Sequence, residues 1–401
     1  MTHKFIPYAQ PFIDDGDRAA ILDVLNTVWL TQGPKVAELE AEVARVCGTQ
    51  HAVAVANGTA ALHLAYASQG IGPGDEIITS PVTFAATANA AVLLGAKVKF
   101  CDVDPETFTL DPNKIEQLIT RNTKAIVPVD FTGHPCHMNE ITEIADHHNI
   151  PVIVDAAHSF GASYHNKATG SLGLMSTFSF HAVKSVAAGE GGAITTDDAE
   201  LTEKLRRLRS HGVVNTEGDM MLADIAADRL PGKGADTQHQ EGKAGWYYEV
   251  QEPAWNYRMS DIQCALAISQ IGKLEVNLEK RSDIAALYDA AFLTNPLIKT
   301  PRRPGNWKSA WHLYMIRLNL AEMKSTRREV FEALRSEGIG VHVHYIPVHL
   351  QPYYRNSHGT RLGDYPAAEA FYREALTLPM HPAMVDKDIK RVIEAIGNII
   401  S

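Results

Sequence analysis

Short apolar segments alternate with helical ones from residue 52 to residue 154, and this alternation constrains the fold more than any other feature of the sequence. The period-2 or continuously apolar segments predict strands, and the segments between them that follow the 3.6-residue period predict helices. The expected strands are 52–56, 76–79, 97–103, 125–129 and 151–154, and the expected helices are 60–68, 112–120 and 138–147. Such alternation predicts a parallel α/β sheet that binds its ligands at the carboxyl ends of the strands.

Small, aromatic and charged residues follow these strands where a ligand is expected. Gly58 and Thr59 come directly after the first strand, and a helix N-terminus there binds an anion or is simply capped. Phe84 follows the second strand and either stacks on a planar ligand or fills the core. Asp155 and His158 follow the apolar run PVIV. A buried carboxylate needs a partner, which is a cationic ring nitrogen, a backbone N–H at a helix cap, or a nearby lysine.

Lys184 lies in the stretch TFSFHAVKSVAAGEGGAITT, residues 177–196. Alternating residues before it and residues 193–196 after it predict two strands, with a glycine-rich turn between them. Lys184 is either a desolvated amine that forms a Schiff base with a carbonyl or an ordinary surface lysine. Together with the groups at the preceding strand ends, it completes the set that pyridoxal phosphate requires: an anion site, a stacking ring, a carboxylate and an amine. The combination favours the Schiff-base interpretation.

The second half of the chain changes character. Residues 216–243 are polar and glycine-rich, which predicts a mobile flap. Residues 260–292 predict one or two long helices, and a smaller α+β unit is expected from about residue 298. His342 and His344 with the nearby His349 suggest a metal site only weakly, because no further ligand clusters there. The expected organisation is an N-terminal arm 1–34, a large α/β domain 35–262, and linking helices with a small domain 263–401.

Composition excludes several classes of function. The formal charge of -10 argues against a duplex nucleic-acid binder that relies on phosphate attraction. The four cysteines form no CxxC pair, so reduced thiols are expected. The first residues carry prolines and acids in place of an apolar signal sequence, and no stretch is long and apolar enough for a membrane span. The sequence therefore predicts a cytoplasmic protein without nucleic-acid or membrane partners.

Several motifs match those of a known family both in their residues and in their order along the chain. The segments NGTAALHLA, PVTFAATANA, VDAAHSFGA, FSFHAVKSVAAGEGGAITT, RSHG and WNYRMSD closely resemble the DegT/DnrJ/EryC1/StrS family of nucleotide-sugar aminotransferases, over nearly the whole chain. The resemblance implies a fold-type I pyridoxal phosphate enzyme: a large α/β domain with a mostly parallel sheet, and a smaller C-terminal α+β domain. It also implies a homodimer with shared active sites.

The resemblance assigns a role to each matching position. It implies that Lys184 holds the cofactor and shuttles a proton, and that Asp155 pairs with the ring nitrogen. The other residues implied to contact the cofactor are Gly58, Thr59, Phe84, His158, Ser179 and, from the neighbouring subunit, Asn256. The residues implied to contact the sugar nucleotide are Tyr8, Trp29, Thr31, His344 and Tyr345. No metal ligand is implied.

The resemblance also narrows the substrate. Within the family, WYYE and VHYIPVHLQPYY are most similar to enzymes that use L-glutamate to aminate C4 of a UDP-linked 4-keto-6-deoxy-N-acetylhexosamine in pseudaminic acid biosynthesis. A UDP-4-keto-pentose and a dTDP-4-keto-6-deoxyhexose are the alternative substrates. A non-catalytic regulator that binds the cofactor is a third interpretation, but such proteins carry a DNA-binding domain for which the 34-residue arm has no room.

Overall fold

The computed structural model of the protein describes residues 4–216, 219–222, 245–302 and 304–400. In these ranges the helices are α1 (Asp15–Leu25), α2 (Pro34–Cys47), α3 (Gly58–Ser68), α4 (Ala86–Leu93), α5 (Met138–His147), α6 (Ala199–Arg209), α7 (Asp261–Ile271), α8 (Leu274–Phe292), α9 (Arg327–Ser336), α10 (Pro352–His358), α11 (Pro366–Glu374) and α12 (Asp386–Ile400). The strands are β1 (His51–Val55), β2 (Glu76–Thr79), β3 (Lys97–Phe100), β4 (Thr123–Val127), β5 (Ile153–Asp155), β6 (Ser163–Tyr164), β7 (Lys167–Ala168), β8 (Met175–Ser179), β9 (Gly192–Thr196), β10 (Val213–Val214), β11 (Glu249–Val250), β12 (Ile298–Lys299), β13 (Trp307–Lys308), β14 (Tyr314–Leu318) and β15 (Ala375–Leu378).

The central sheet has the strand order β1-β9-β8-β5-β4-β2-β3. A parallel bridge between Ile126 and Val152 joins its two halves at β4 and β5. The pairs β5–β8, β2–β3 and β2–β4 are parallel, whereas β9 runs antiparallel to both of its neighbours, β8 and β1. Strand β9 follows β8 after a loop without a helix, and antiparallel neighbours, unlike parallel ones, need no crossover helix between them. The expected mostly parallel α/β sheet is confirmed.

Helices cover both faces of this sheet, which is why its strands read as nearly continuous apolar runs. Helix α2 buries Leu39, Val43 and Cys47 against one face, together with residues of α5 and α7. Helices α3, α4 and α6 pack against the other face. Helix α3 is buried along nearly its whole length after its first turn, so its N-terminus is held rigidly at the edge where β1 ends.

The C-terminal part of the chain builds a second, smaller layer. Strands β12, β14 and β15 form an antiparallel sheet. Helix α12 buries Ile389, Val392 and Ile396 in the same cluster as the sheet, at the spacing expected for one helical face. The segment 260–292, predicted to form one or two long helices, forms two: α7 begins with a capping box at Ser260, and α8 begins at Leu274. The smaller α+β unit is confirmed, while the domain boundaries at 35–262 and 263–401 remain predictions.

One expected element is wrong. Residues 112–120 form two 3-10 turns, Pro112–Lys114 and Glu116–Leu118, in place of a helix, because the segment is short and its β-branched residues favour a helix poorly. Strand β14 begins at Tyr314, after a backbone turn at Trp311, whose φ of 46° lies outside the strand region.

Other expectations concern the surface and the thiols. The predicted flap at 216–243 lies, apart from residues 216 and 219–222, outside the described residues. All four cysteines, Cys47, Cys101, Cys136 and Cys264, are free and buried, so they are packing residues. Among the helices of the described part, none combines the length and the apolar character that crossing a membrane needs.

Candidate active site

A cavity of about 580 Å³ opens at the carboxyl ends of β1, β5 and β8, the edge of the sheet where the sequence predicts a ligand. Ten of the sequence-predicted residues line it: Tyr8, Gly58, Thr59, Phe84, Asp155, His158, Ser179, Lys184, His344 and Tyr345. They come from the N-terminal arm, from four strand ends and from a loop before α10. The fold therefore gathers at one place groups that are up to 337 positions apart in the chain, since 345 − 8 = 337.

Lys184 lies in a loop that leaves the sheet at β8 and returns at β9. Backbone hydrogen bonds within this loop run from Phe180 N to the Gly191 oxygen at 2.7 Å and from Ala182 N to the Gly189 oxygen at 3.1 Å. Burial lowers the pKa of Lys184 to about 8, while the charge of Asp155 acts in the opposite direction. Desolvation of this kind is the usual way in which a lysine becomes a nucleophile. Lys184 is therefore not a surface lysine.

Asp155 ends β5 with its carboxylate buried. Its Oδ2 accepts a hydrogen bond of 2.6 Å from Thr87 Oγ1, and its Oδ1 accepts one of 3.2 Å from Ala157 N. Thr83 Oγ1 lies 2.7 Å from Thr87 Oγ1 and extends this series of hydrogen bonds. Burial raises the pKa of Asp155, whereas the two hydrogen bonds and the charge of Lys184 lower it. The carboxylate is thus held in place, but a cationic partner in the cavity would stabilise its charge further.

The N-terminus of α3 forms a cradle beside β8. Asn57 caps the helix, since its side chain accepts a hydrogen bond of 2.8 Å from Ala60 N, and the N–H groups of the first turn have no partner within the helix. A Cβ atom on Gly58 would lie 2.8 Å from Ser179 Cβ. Gly192 of β9 supports the same turn, because a Cβ there would lie 2.7 Å from the Asn57 carbonyl carbon. The cradle therefore suits an anion that approaches the backbone closely.

Aromatic rings and an imidazole line one wall of the cavity. The hydroxyl of Tyr345 lies 3.3 Å from His158 Nε2, and the rings of Phe84 and Tyr345 have centroids 6.0 Å apart. Phe84 is 62% exposed, so it does not fill the core of this chain and is free to stack on a ligand. Burial, and secondarily the charge of Lys184, lowers the pKa of His158 well below its ordinary value, which keeps this imidazole neutral.

His342 and His344 lie together at the mouth of the cavity. Their ring centroids are 4.5 Å apart, and each centroid is 5.3 Å from that of Tyr8. His344 Nδ1 is 2.9 Å from Thr377 Oγ1. His349 is buried elsewhere, with its Nε2 3.1 Å from the Glu369 carboxylate. The weakly suggested metal site at these three histidines is therefore not assembled.

Three predicted residues lie outside the cavity. Trp29 is 54% exposed, Thr31 is exposed and bridges to Ser260, and Asn256 is exposed and bridges to Ser210. In the single chain they touch none of the cavity-lining groups described above. Their roles, contact with the sugar nucleotide for Trp29 and Thr31 and with the cofactor of the neighbouring subunit for Asn256, remain predictions.

Sequence reasoning missed four residues that the fold brings to the site. Thr83 and Thr87 contact Asp155 or each other, and His181 and Glu190 line the cavity near Lys184, with His181 Nε2 4.0 Å from the Glu190 carboxylate. The two threonines follow a predicted strand end, as the other candidates do, and this position is the signal that could have identified them. The His181–Glu190 pair depends on the path of the loop, which no local pattern reveals.

Comparisons with known proteins agree with this geometry. The model of the DegT/DnrJ/EryC1/StrS aminotransferase family matches residues 11–397. The spore coat polysaccharide biosynthesis protein SpsC of Bacillus subtilis is 41% identical over 399 residues, which cover 99% of this chain and 98% of SpsC.

Solved structures extend the likeness to three dimensions. Helicobacter pylori PseC, an aminotransferase involved in pseudaminic acid biosynthesis, has a TM-score of 0.88 at 30% identity, covering 99% of each chain. Spr1654 of Streptococcus pneumoniae, in its PLP-form, has a TM-score of 0.87 at 28% identity, covering 98% of each chain. The chain therefore belongs to the DegT/DnrJ/EryC1/StrS aminotransferase family, and it is a fold-type I, pyridoxal phosphate-dependent nucleotide-sugar aminotransferase.

Proposed function

We propose that the enzyme moves an amino group from L-glutamate to C4 of a UDP-linked 4-keto-6-deoxy-N-acetylhexosamine, a step of pseudaminic acid biosynthesis. The observation that carries the reaction is that the desolvated amine of Lys184 and the buried carboxylate of Asp155 enter the same cavity. The choice of sugar is supported by the likeness to PseC. Another 4-keto nucleotide sugar, a UDP-4-keto-pentose or a dTDP-4-keto-6-deoxyhexose, is the second candidate, since SpsC is named for the biosynthesis of spore coat polysaccharide and not of pseudaminic acid.

The residues of the cavity fit pyridoxal phosphate. The first turn of α3 with Gly58, Thr59 and Ser179 would hold the phosphate, because its backbone is open where a Cβ would otherwise intrude. Asp155 would accept a hydrogen bond from the protonated ring nitrogen, and exposed Phe84 would cover one face of the ring. When bound, the cofactor supplies an electron-withdrawing ring that stabilises negative charge on the carbon being aminated or deaminated.

Lys184 would hold the cofactor covalently and move the proton. With a pKa of about 8, roughly a tenth of its amine is unprotonated at pH 7, against well under about one in a thousand for an ordinary lysine. Once glutamate has displaced it, Lys184 Nζ would take the proton from the α-carbon of glutamate. In the second half reaction it would deliver a proton to C4 of the sugar. A base whose pKa lies near the working pH serves both directions.

The mouth of the cavity would bind the sugar. Tyr8, His342, His344 and Tyr345 present rings with polar edges there, an arrangement that packs on a sugar face while hydrogen bonding its hydroxyl or N-acetyl groups. Burial lowers the pKa of His344 to about 3, so this imidazole stays neutral at physiological pH. Neutral polar groups fit an uncharged sugar ring, which leaves recognition of the nucleotide diphosphate to groups farther out.

We infer that the active unit is a homodimer whose partner completes the site. Asn256, Trp29 and Thr31 are exposed in the single chain although each matches a site position of the family. Exposed apolar side chains within about ten positions of them in the sequence are Leu22, Leu25, Val28, Leu30, Trp246, Tyr248, Val250 and Trp255. Exposed apolar side chains at this density are typical of a subunit interface.

A coupled assay tests the reaction and the sugar. Purified enzyme is incubated with L-glutamate and one of a panel of 4-keto UDP and dTDP sugars, 2-oxoglutarate is measured, and the product is identified by NMR. The proposal expects turnover with the UDP-linked 4-keto-6-deoxy-N-acetylhexosamine. Turnover with dTDP sugars alone would refute the assigned sugar, and no turnover with any of them would refute the reaction. Lys184→Arg is the inactive reference, and Lys35→Arg, at the exposed start of α2, is its matched control.

Subunit mixing tests the shared site. Lys184→Ala and Asn256→Ala variants are each inactive or nearly so if Asn256 serves the neighbouring subunit. Mixed dimers then contain one intact site, so random reassociation restores about one quarter of the wild-type activity, as expected for a two-fold symmetric dimer. If the mixture regains no activity while co-purification of two differently tagged variants shows mixed dimers, Asn256 acts within its own subunit.

A further inference from the structure

Two histidines and a glutamate converge at the edge of the central sheet opposite the active-site cavity. Helix α5 runs from the carboxyl end of β4 to the amino end of β5, so its last residue, His147, and the following His148 lie at the amino edge. Glu116 lies in the 3-10 turn Glu116–Leu118, shortly before β4. One possible metal-ligand atom from each of these side chains lies within 4.8 Å of the other two. In the part of the chain that the structure describes, no other His, Cys, Asp and Glu side chains form such a group of three.

The distances suit a tetrahedral ion such as Zn²⁺. Zinc binds histidine nitrogens at about 2.0–2.1 Å and carboxylate oxygens at about 2.0–2.2 Å, which places two ligand atoms of one tetrahedron about 3.3–3.6 Å apart. His148 Nε2 is 3.3 Å from Glu116 Oε1, so this pair already has the required separation. His147 is exposed, and a rotation that moves its ring nitrogen by about 1.5 Å at most brings it to the same separation from both atoms.

The backbone that carries these side chains is fixed by the core. Ile115, next to Glu116, is fully buried and belongs to the same apolar cluster as Ile141 and Ala145 of α5. Just after this helix, Ile150 N donates to the Ala145 oxygen at 2.9 Å, which holds the end of α5 in place. Only side chains therefore have to move when an ion binds, and a site prepared in this way loses little conformational freedom on binding.

The charge and the ligand types favour a divalent transition-metal ion. The site lies at the C-terminus of α5, where the last carbonyl groups of a helix carry partial negative charge and attract a cation, and Glu116 adds a carboxylate. Imidazole nitrogens suit Zn²⁺, whereas Mg²⁺ and Ca²⁺ require oxygen ligands. Two histidines and one glutamate leave the fourth tetrahedral position to water.

We propose that Glu116, His147 and His148 form a binding site for Zn²⁺ that is separate from the active site. The ion links the turn before β4 to the end of α5 and so stabilises the large sheet at its amino edge. Lys184 and the cavity lie at the carboxyl edge of the same sheet. The ion therefore acts on stability and not on amino transfer, and the proposal does not depend on the proposed function.

Isothermal titration calorimetry with ZnCl₂ tests the site. The cofactor-loaded enzyme is prepared without a histidine tag and treated with a chelator, which is then removed. His148→Gln and Glu116→Gln each remove one ligand from an exposed or half-buried position, so both variants should fold. Loss of even an outer partner of a metal ligand typically costs about 10- to 100-fold in affinity. Each variant should therefore bind zinc at this site at least about 10-fold more weakly than the wild type does.

His137→Gln is the matched control. His137, just before the same helix, lies 3.9 Å from the Glu140 carboxylate, and its side chain is 27% exposed against 30% for His148, but it belongs to no described group of three. This variant should bind zinc as the wild type does. The proposal is overturned if the wild type binds no zinc, or if His148→Gln and Glu116→Gln bind it as tightly as His137→Gln.

Thermal denaturation provides the second readout. An ion that binds only the folded chain raises Tm, so ZnCl₂ should raise the Tm of the wild type and of His137→Gln more than that of His148→Gln. MgCl₂ at the same concentration should have no such effect. An equal shift in all three proteins would place the stabilising ion elsewhere and refute the site, as would an equal effect of MgCl₂ and ZnCl₂ on the wild type.

Discussion

The substitution Gly58→Ala tests the anion cradle more directly than any other change. The new Cβ would lie 2.8 Å from Ser179 Cβ and 3.3 Å from Ser179 Oγ. Carbon atoms without strain stay about 3.5–4.0 Å apart, so either α3 or the end of β8 must move by about 1 Å. Both elements contribute to the proposed phosphate site, and relief of the clash in either direction therefore distorts it.

The expected loss of cofactor affinity in Gly58→Ala follows from the free-energy cost of overpacking. Added methyl groups in a tightly packed region typically cost about 1–3 kcal/mol. If the cofactor-bound state carries that cost in full, the Kd for pyridoxal phosphate rises about 5- to 150-fold. Gly397→Ala is the matched control, since Gly397 is also helical and a Cβ there meets no atom within 4 Å. In the interior of α12 this change should stabilise the protein by about 0.5–1 kcal/mol.

The assay is a titration of the cofactor-free protein with pyridoxal phosphate, followed by absorbance and by Tm. The double variant Gly58→Ala/Ser179→Gly removes the opposing Cβ, and a double-mutant cycle with Ser179→Gly alone isolates the clash from the loss of the hydroxyl. The reasoning is refuted if Gly58→Ala binds the cofactor as tightly as Gly397→Ala does, or if Ser179→Gly recovers none of the lost affinity.

Three further substitutions probe the site and its support. Thr87→Val removes the 2.6 Å hydrogen bond to Asp155. Because that bond lowers the pKa of Asp155, its loss raises this pKa. The pH below which cofactor binding weakens should therefore be higher in the variant, as a titration of Kd against pH would show. Lys184→Arg should abolish turnover and the absorbance band of the covalently attached cofactor. In the wild type the rate of cofactor attachment should rise with pH up to about 8, the pKa of Lys184, as stopped-flow absorbance would show. Asp17→Asn disturbs a fully buried carboxylate that accepts a 2.6 Å bond from Lys273. Because Lys273 is partly exposed and keeps its ion pair with Asp14, the change should lower the free energy of unfolding by about 1.5–3 kcal/mol in urea denaturation, the range for a hydrogen bond to a charged group.

The elements that the sequence predicts well are those whose local pattern and tertiary environment agree. Strand β2 and helix α5 have the predicted bounds, because apolar periodicity and flanking turns both favour them. The segment 112–120 fails because its pattern is short and its helix propensity is weak, so contacts with the rest of the chain decide its shape. The antiparallel direction of β9 follows from the loop before it, which the strand pattern alone does not specify.

The residues of the candidate site also fall into those that the sequence can place and those that it cannot. Residues at strand ends, such as Asp155 and Lys184, can be placed from the sequence because parallel strands bring their carboxyl ends to one edge. The position of His312, whose ring centroid lies 4.3 Å from that of His158, could not be predicted, because this residue follows a backbone turn at Trp311 that has no sequence signature. Its contact with His158 depends instead on the close approach of two loops at Gly133, which only the folded chain defines.

The loop that carries Lys184 begins and ends on adjacent strands of the sheet, with Ser179 paired to Gly192. A side chain on such a doubly tethered loop can travel only a few ångströms, even when no covalent bond holds its amine. An amine confined in this way meets a neighbouring carbonyl at an effective concentration that a free amine in solution could not reach, and well-oriented intramolecular reactions attain about 10⁵–10⁸ M. If Lys184 holds the cofactor as proposed, the antiparallel return of β9 would keep its released amine close enough to reattach.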